Sequence, residues 1–207
     1  MKRAALLLCL CLLAISAGCA GSRIEPKRIN FGLSSFFQPE KVNRIAIMPI
    51  KSDRAAAKVA DRIRDELTVQ ILKLDRFEVV DRYKVDQLLE EEGVESTELT
   101  DDLAKKLGSK LKADAVIVGE ITDYRPATTN PIPLPLLKDL LSHPPAIGIY
   151  LRMVSVEGGM TIWSLSDRFD GGDKSLQALA GSDGEKLRDL SFLITFACSQ
   201  IAGTMNF

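Results

Sequence analysis

The order of hydrophobic patterns between residues 43 and 202 constrains the fold more than any other feature of this chain. The stretch "RIAIMPI" is apolar on both faces, which is typical of a strand covered on two sides. An apolar stripe at steps of three and four residues then predicts a helix over 53–74. "RFEVVD" and "ADAVIVGEITDY" predict two further strands, with two short helices between them. A hairpin around Gly158 and Gly159 and a helix over 185–202 follow.

This order of elements predicts an α/β fold. We expect one three-layer-like domain with a mixed sheet of about five strands, crossover helices and a C-terminal helix. The first connection between strands is long enough for a right-handed crossover between parallel strands. Gly119, inside the strand "ADAVIVGEITDY", predicts a bulge or the close approach of another group.

The N-terminus resembles a bacterial lipoprotein signal. Two basic residues precede an apolar run, and the small residues Ser16, Ala17 and Gly18 lead directly to Cys19. The apolar run is too short for a comfortable transmembrane helix, which needs about 20 apolar residues. Ala17, Gly18 and Cys19 match the lipoprotein pattern, whereas Ser16 stands where Leu, Val or Ile is more usual.

The resemblance implies that the chain is cut before Cys19 and that lipid is attached to its thiol and new amine. Residues 1–18 are then a signal peptide, 19–41 a lipidated tether and 42–207 the folded domain. Several acyl chains anchor a protein stably, whereas one chain binds a membrane only marginally. Ala20 after the cysteine implies sorting to the outer membrane, on its periplasmic face. The alternative is ordinary secretion with a cysteine near the cleavage site.

Charge and cysteine content exclude two classes of protein. The chain has 27 Lys and Arg residues and 28 Asp and Glu residues. Removal of 1–18 takes two basic residues and no acidic ones, which leaves a net charge of about −3 and no nucleic-acid footprint. With Cys19 lipidated, Cys198 is the one remaining cysteine of the mature sequence, so no intramolecular disulfide can form. Its apolar helical surroundings predict a small buried side chain.

The sequence predicts no catalytic residue, no metal site and no cofactor. His143 is the single histidine and has no partner that would suggest a nucleophile–base pair. No cluster of His, Cys or acidic residues has metal-ligand spacing. The stretch "GGDKS" lacks the spacing of a phosphate-binding loop and is interpreted as a turn.

The proline-rich stretch over 125–145 is the predicted partner-contact surface. Its candidate contact residues are Pro131, Pro133, Pro135, His143 and Pro144. Proline fixes an extended backbone in advance, which lowers the entropy lost on binding. The alternative is a rigid surface loop without a partner.

The stretches "RIAIMPI", "RFEVVDR", "KADAVIVGEI" and "IGIYLRMVSVEGGMTIWS" resemble the CsgG-like lipoproteins. That family includes the curli secretion-channel component, and the resemblance covers roughly residues 43–170. It implies an α/β domain that serves protein assembly and has no catalytic residues. One departure is that 125–145 is studded with proline and lacks the alternation of an amphipathic hairpin, which disfavours a pore.

These features together predict a lipid-anchored periplasmic adaptor or assembly lipoprotein of the bacterial outer membrane. Its expected partners are the membrane, through the lipid, and other envelope proteins, with no nucleic acid. One alternative is an oligomeric curli-like secretion-channel subunit, for which this chain would form a homo-oligomer. Another is an unrecognised periplasmic hydrolase.

Overall fold

The structure is a computed structural model that describes residues 24–95, 99–128 and 143–206. These residues form a mixed six-stranded sheet with helices on both faces. The predicted α/β class is therefore confirmed, with a mixed sheet, helices between strands and a C-terminal helix. The sheet has one strand more than the sequence indicates.

The sheet combines a parallel part with an antiparallel part. Its spatial order is β1-β6-β5-β4-β2-β3. Strand β2 is parallel to β3 and β4, whereas β4, β5, β6 and β1 pair antiparallel in succession. The strands are β1 Phe31–Leu33, β2 Arg44–Ile47, β3 Glu78–Val79, β4 Ala115–Arg125, β5 Ala146–Ser155 and β6 Thr161–Asp170.

Five α-helices connect or follow the strands in the described part of the chain. They are α1 Ala57–Leu72, α2 Arg82–Glu92, α3 Asp101–Leu111, α4 Lys174–Ala180 and α5 Leu190–Gly203. Short 3₁₀ segments lie at Pro39–Lys41 and Gly181–Arg188. Among these described helices, none has the length and apolar character that crossing a bilayer requires.

Local sequence explains where α2 and α3 begin and end. The Asp81 carboxylate accepts from the Tyr83 N–H and starts α2, and Gly93 ends it at a φ of 65°. The Thr100 hydroxyl accepts from the Leu103 N–H and starts α3.

Gly108, a residue type that often ends a helix, lies inside α3. A Cβ there would meet the side chain of Val156 at 2.4 Å, so the glycine lets the helix approach the sheet closely.

Helices α1 and α5 pack against each other and against one face of the sheet. Their apolar stripes bury Ile63 and Leu67 of α1 and Ile194 of α5 against the inward side chains of β5 and β6, among them Trp163. Cys198 is also buried there, and burial raises the pKa of its thiol. The prediction of a buried Cys198 is thus confirmed.

Helices α2 and α3 cover the opposite face along only part of the length of its strands. Their core contains Val85, Leu89 and Leu107 packed with Val116 and Val154 of the sheet. Strand β2 pairs with the first three residues of the eleven-residue β4, and Lys51 adds a single parallel bridge at Glu120. The far ends of β4, β5 and β6 therefore extend beyond this second helical layer.

The N-terminal segment joins the sheet earlier along the chain than the sequence suggests. Residues 31–33, inside the predicted tether 19–41, form β1 and pair with Trp163–Leu165 of β6. Before them, the Lys27 ammonium lies 2.6 Å from the Asp167 carboxylate, and the Lys27 N–H donates to the Ser175 carbonyl. The chain is thus attached to the domain from Lys27 onward.

One charged side chain, Arg64 of α1, is buried between α1 and α2. Its Nε donates to the Ile47 carbonyl at 3.0 Å, and its Nη1 lies 2.6 Å from Asp86 of α2. Burial lowers the pKa of Arg64, and the hydrogen bond and charge of Asp86 oppose that effect. Arg82 also bonds Asp86 and extends the network to Asp61 and Asp65. The hydrogen bond from Arg82 to Asp65 is the main reason that the pKa of Arg82 is raised.

We predict that Gly119→Ala destabilises the protein by about 1–3 kcal/mol through overpacking. A Cβ at Gly119 would lie 2.3 Å from a Leu151 methyl group and 2.5 Å from the Tyr150 carbonyl oxygen, and the latter belongs to the backbone. The measurement is urea unfolding. The control is Gly203→Ala, where no atom lies within 4 Å of the added Cβ, and equal stability of the two variants would contradict the prediction.

We predict that Asp86→Ala lowers the free energy of unfolding by about 3–5 kcal/mol, because it leaves the buried Arg64 guanidinium without its counterion. The matched control is Asp61→Ala, which removes a more exposed carboxylate from the same network and is expected to cost less than about 1 kcal/mol. Chemical denaturation at pH 7 compares the two. Similar losses would show that the burial of Arg64 carries no special cost.

Candidate functional site

Beyond the layer formed by α2 and α3, the same face of the sheet is polar and accessible. We call this surface the open face, and it consists of Glu120, Asp123, Tyr150, Arg152, Ser164, Ser166 and Arg168. The strand register aligns Glu120, Tyr150 and Ser166 in one row across β4, β5 and β6. Their neighbours along the strands, such as Leu151 and Leu165, point into the core on the other side.

A glycine in the central strand shapes the open face. Gly148 of β5 lies between Asp123 of β4 and Arg168 of β6 in the register. Because Gly148 has no side chain, the Arg168 guanidinium reaches across it and forms an ion pair with Asp123. A Cβ at Gly148 would meet the Thr122 hydroxyl oxygen at 2.6 Å. The result is an ion pair that bridges β4 and β6 across β5.

Arg152 connects the open face to the helical layer. Its Nε and Nη2 lie 2.8 and 2.7 Å from the same Asp101 oxygen. Asp101 is in the first turn of α3, where a negative charge is also favoured by the helix dipole. Asp101 therefore combines a helix-terminal position with an ion pair that orients a basic side chain at the boundary of the open face.

The open face ends where the chain leaves β4 and returns to β5. We call this place the segment base, because the chain segment 129–142 lies between its residues Thr128 and His143 in the sequence. It consists of Arg125, Thr128, His143, Pro144 and Asp170. Arg125 lies 2.7 Å from Asp170, and its Nε donates to the Pro144 carbonyl at 3.2 Å. Thr128 and His143 form an isolated antiparallel bridge, with backbone hydrogen bonds of 3.0 and 3.2 Å. The chain that follows β4 and the chain that precedes β5 are thus held together by this bridge.

The structure describes only part of the predicted contact set. His143 is exposed, and its Nδ1 lies 3.4 Å from the Thr128 hydroxyl. Pro144 is half-buried and contributes the carbonyl bound by Arg125. Pro131, Pro133, Pro135 and the predicted lipid site Cys19 lie outside the described residues. The set therefore remains a prediction.

An open cleft of about 430 Å³ lies beside the segment base. Lys27, Arg125 and Arg168 supply basic groups to it, and Asp170 and Asp173 supply acidic ones. Asp173 comes from the stretch "GGDKS" and accepts hydrogen bonds from the N–H and hydroxyl of Ser175. Burial alone would raise the pKa of Asp173, but these bonds lower it. This carboxylate caps α4, and Gly171 and Gly172 form a turn before it, as predicted for the stretch.

A second groove, of about 620 Å³, lies at the opposite end of the sheet, beside the β5–β6 hairpin. Phe36 and Met160 line it, and 76% of Phe36 is exposed. Phe37, by contrast, packs against the core. The sequence places both phenylalanines in the tether without separating their roles.

The chemistry available to the described residues is that of charged, hydroxyl and aromatic side chains. They contain no group of three or more His, Cys, Asp or Glu side chains arranged to hold a metal ion. Several of the charged groups are paired across strands, as Arg168 is with Asp123, whereas Arg152 pairs with Asp101 of α3. Such a surface presents hydrogen-bond donors, acceptors and an aromatic ring in fixed positions, which suits contact with another macromolecule.

No protein-family model matches the sequence, and no curated protein matches it significantly. Solved structures are similar at low identity. A PelC dodecamer from Paraburkholderia phytofirmans has a TM-score of 0.48 and 11% identity, covering 84% of this chain and 96% of that one. The lipoprotein GNA1162 from Neisseria meningitidis has a TM-score of 0.46 and 17% identity, covering 61% and 81%.

The C-terminal domain of LpoB from Escherichia coli has a TM-score of 0.37 and 13% identity, covering 61% of this chain and 81% of that one. At such identities and TM-scores the likeness transfers neither a function nor an assembly to this protein. None of these three structures is a curli component, so the CsgG-like resemblance remains a prediction.

We predict that Arg125→Ala loosens the segment base without unfolding the domain. The substitution removes the ion pair with Asp170 and the bond to the Pro144 carbonyl, both partly exposed, so the global cost should be about 1 kcal/mol. Amide hydrogen exchange at Thr128 and His143 should become several-fold faster. The control is Lys186→Ala, which removes an exposed pair with Asp183 and should leave those two amides unchanged.

Proposed function

We propose that this protein is a lipid-anchored periplasmic adaptor or assembly lipoprotein of the bacterial outer membrane. It acts through protein–protein contacts in envelope assembly or export, and no step of that role requires catalysis. The lipid at Cys19 holds the domain at the membrane, and the open face and segment base contact the partner.

The observation that carries this proposal is the N-terminal pattern. An apolar run and three small residues end at Cys19, and Lys27, only eight residues later, is already bonded to the domain. A lipid on Cys19 would therefore hold the domain close to a membrane. Several acyl chains at one residue supply stable anchoring, which a single chain does not.

The open face supports a role in protein contact. Arg and Tyr are enriched in protein interfaces, and residues that dominate binding are often of these types. Here Tyr150, Arg152 and Arg168 stand on neighbouring positions of two paired strands. Because strands are more rigid than loops, little side-chain and backbone freedom would be lost on binding.

Strands β5 and β6 contribute their inward side chains to the core of the domain. Their inward residues, including Leu151, Trp163 and Phe169, are fully buried against α1, α5 and neighbouring elements. Releasing this hairpin to build a secretion channel would expose these side chains. We therefore prefer the adaptor to the channel subunit.

We predict that Cys19→Ser abolishes lipid attachment and moves the protein out of the membrane fraction. A hydroxyl cannot replace the thiol as the site of the thioether-linked lipid. Incorporation of labelled palmitate and fractionation of the envelope measure the effect. Cys198→Ser is the control, because Cys198 is buried in the domain and should not affect lipid incorporation. Unchanged labelling and fractionation of Cys19→Ser would contradict the proposal.

We predict that a photoreactive phenylalanine analogue at Tyr150 captures an envelope protein in intact cells. The same analogue at Tyr83 is the matched control, since Tyr83 is exposed on α2, away from the open face. Adding Arg168→Glu should reduce capture from Tyr150 about tenfold or more, as for a central interface residue. Capture from Tyr83 but not from Tyr150 would assign the partner surface to another part of the domain.

A further inference from the structure

The tether between the proposed lipid site and the domain is shorter than the domain is wide. Lys27, the first residue that is bonded to the domain, comes eight residues after Cys19, and a fully extended chain of eight residues spans at most about 29 Å. A domain of this size is about 40 Å across, from the usual scaling of the radius of gyration. The part of the surface that holds residues 24–33 must therefore lie next to the bilayer.

Part of that surface is apolar. We call it the β1 edge, and it consists of Ile24, Ile29, Phe31 and Leu33 with the end of α5. Ile24, Phe31 and Leu33 are 48%, 45% and 46% exposed. Phe31, Leu33, Ser199, Gly203 and Thr204 line a groove of about 540 Å³ between β1 and α5. Glu25 and Arg28 are both exposed in the same segment and carry opposite charges.

We infer that the β1 edge rests in the interfacial region of the bilayer, with the sheet oriented edge-on to the membrane. This inference rests on the proposed lipid attachment at Cys19. Half-exposed apolar side chains gain from burial among acyl chains. Lipid also covers β1, which is otherwise an open edge strand.

The orientation fixes which surfaces face away from the membrane. Strand β3 lies at the other edge of the six-stranded sheet, about 24 Å from β1 at a spacing of about 4.8 Å between strands. Leu72 is the last residue of α1, shortly before β3, and is 51% exposed. It matches Leu33 in residue type and exposure, but in the proposed orientation it lies farther from the bilayer. This pair of positions can therefore report the orientation.

The experiment measures the depth of spin labels on the lipidated full-length protein. Leu33→Cys, Leu72→Cys and Ala127→Cys are labelled separately and reconstituted into vesicles of phosphatidylethanolamine and phosphatidylglycerol. Cys198 is buried and its thiol pKa is raised, so it should not react. Ala127 is exposed next to the segment base and tests an end-on orientation. Power saturation compares accessibility to oxygen, which partitions into lipid, with accessibility to a water-soluble nickel complex.

We expect the ratio of oxygen to nickel accessibility at Leu33 to exceed that at Leu72 several-fold. Equal ratios at both positions, or a lipid-like ratio at Ala127 with an aqueous one at Leu33, would overturn the inference while leaving the anchor intact. Spectral broadening at Leu33 that disappears on dilution with unlabelled protein would also overturn it, because a second copy would then cover the edge. Thermal melting checks that each variant folds, and Phe31→Cys replaces Leu33→Cys if it does not.

Failure of the lipid anchor gives a different result. Mass spectrometry of the purified protein would then show an unmodified Cys19, and the protein would not remain with the vesicles on flotation. That outcome would remove the proposed function as well as the orientation. A lipidated protein that floats with the vesicles but has an aqueous β1 edge removes only the orientation.

Discussion

The long antiparallel pairing of β4, β5 and β6 is the constraint on which the rest of this structure depends. These three strands are ten or eleven residues long, whereas β2 and β3 are four and two residues long. One face of the long strands is covered along its length by α1 and α5. The other face is covered only where β2 and β3 bring α2 and α3 to it. The open face is thus a consequence of unequal strand lengths, and its polar residues are those that this difference leaves in water.

The sequence predicts the elements that carry strong periodicity. The stripe of α1 and the apolar runs of β2, β4 and β5 are visible because burial on a fixed face imposes a period on the residues themselves. Caps such as Asp81 and Thr100 are equally readable, since each acts on backbone groups two or three residues away. Gly119 is also readable, because a glycine inside an apolar strand often marks a place where a neighbouring group leaves no room for a side chain.

Features that depend on contacts between distant parts of the chain cannot be predicted from local sequence patterns. Strand β1 has three residues, "FGL", and its pairing partner in β6 lies more than 130 residues away, so no local pattern announces it. Arg64 lies on a helix where arginine normally faces solvent, and only the position of α2 and Asp86 explains its burial. Tyr150 and Arg152 have the alternation of an ordinary strand. Nothing in "IGIYLRMVSV" states that the second helical layer stops before reaching all of it.

The pairing of β1 with β6 has a consequence for the order of events during biogenesis. Before β6 exists, the chain between Cys19 and β2 is free over about 25 residues, a reach of roughly 80 Å when extended. Once Lys27 and β1 dock, eight residues remain. With lipid on Cys19, completion of the sheet would itself draw the domain down to the membrane surface. The distance between the domain and the membrane would then distinguish a folded molecule from one in which β6 has not yet formed.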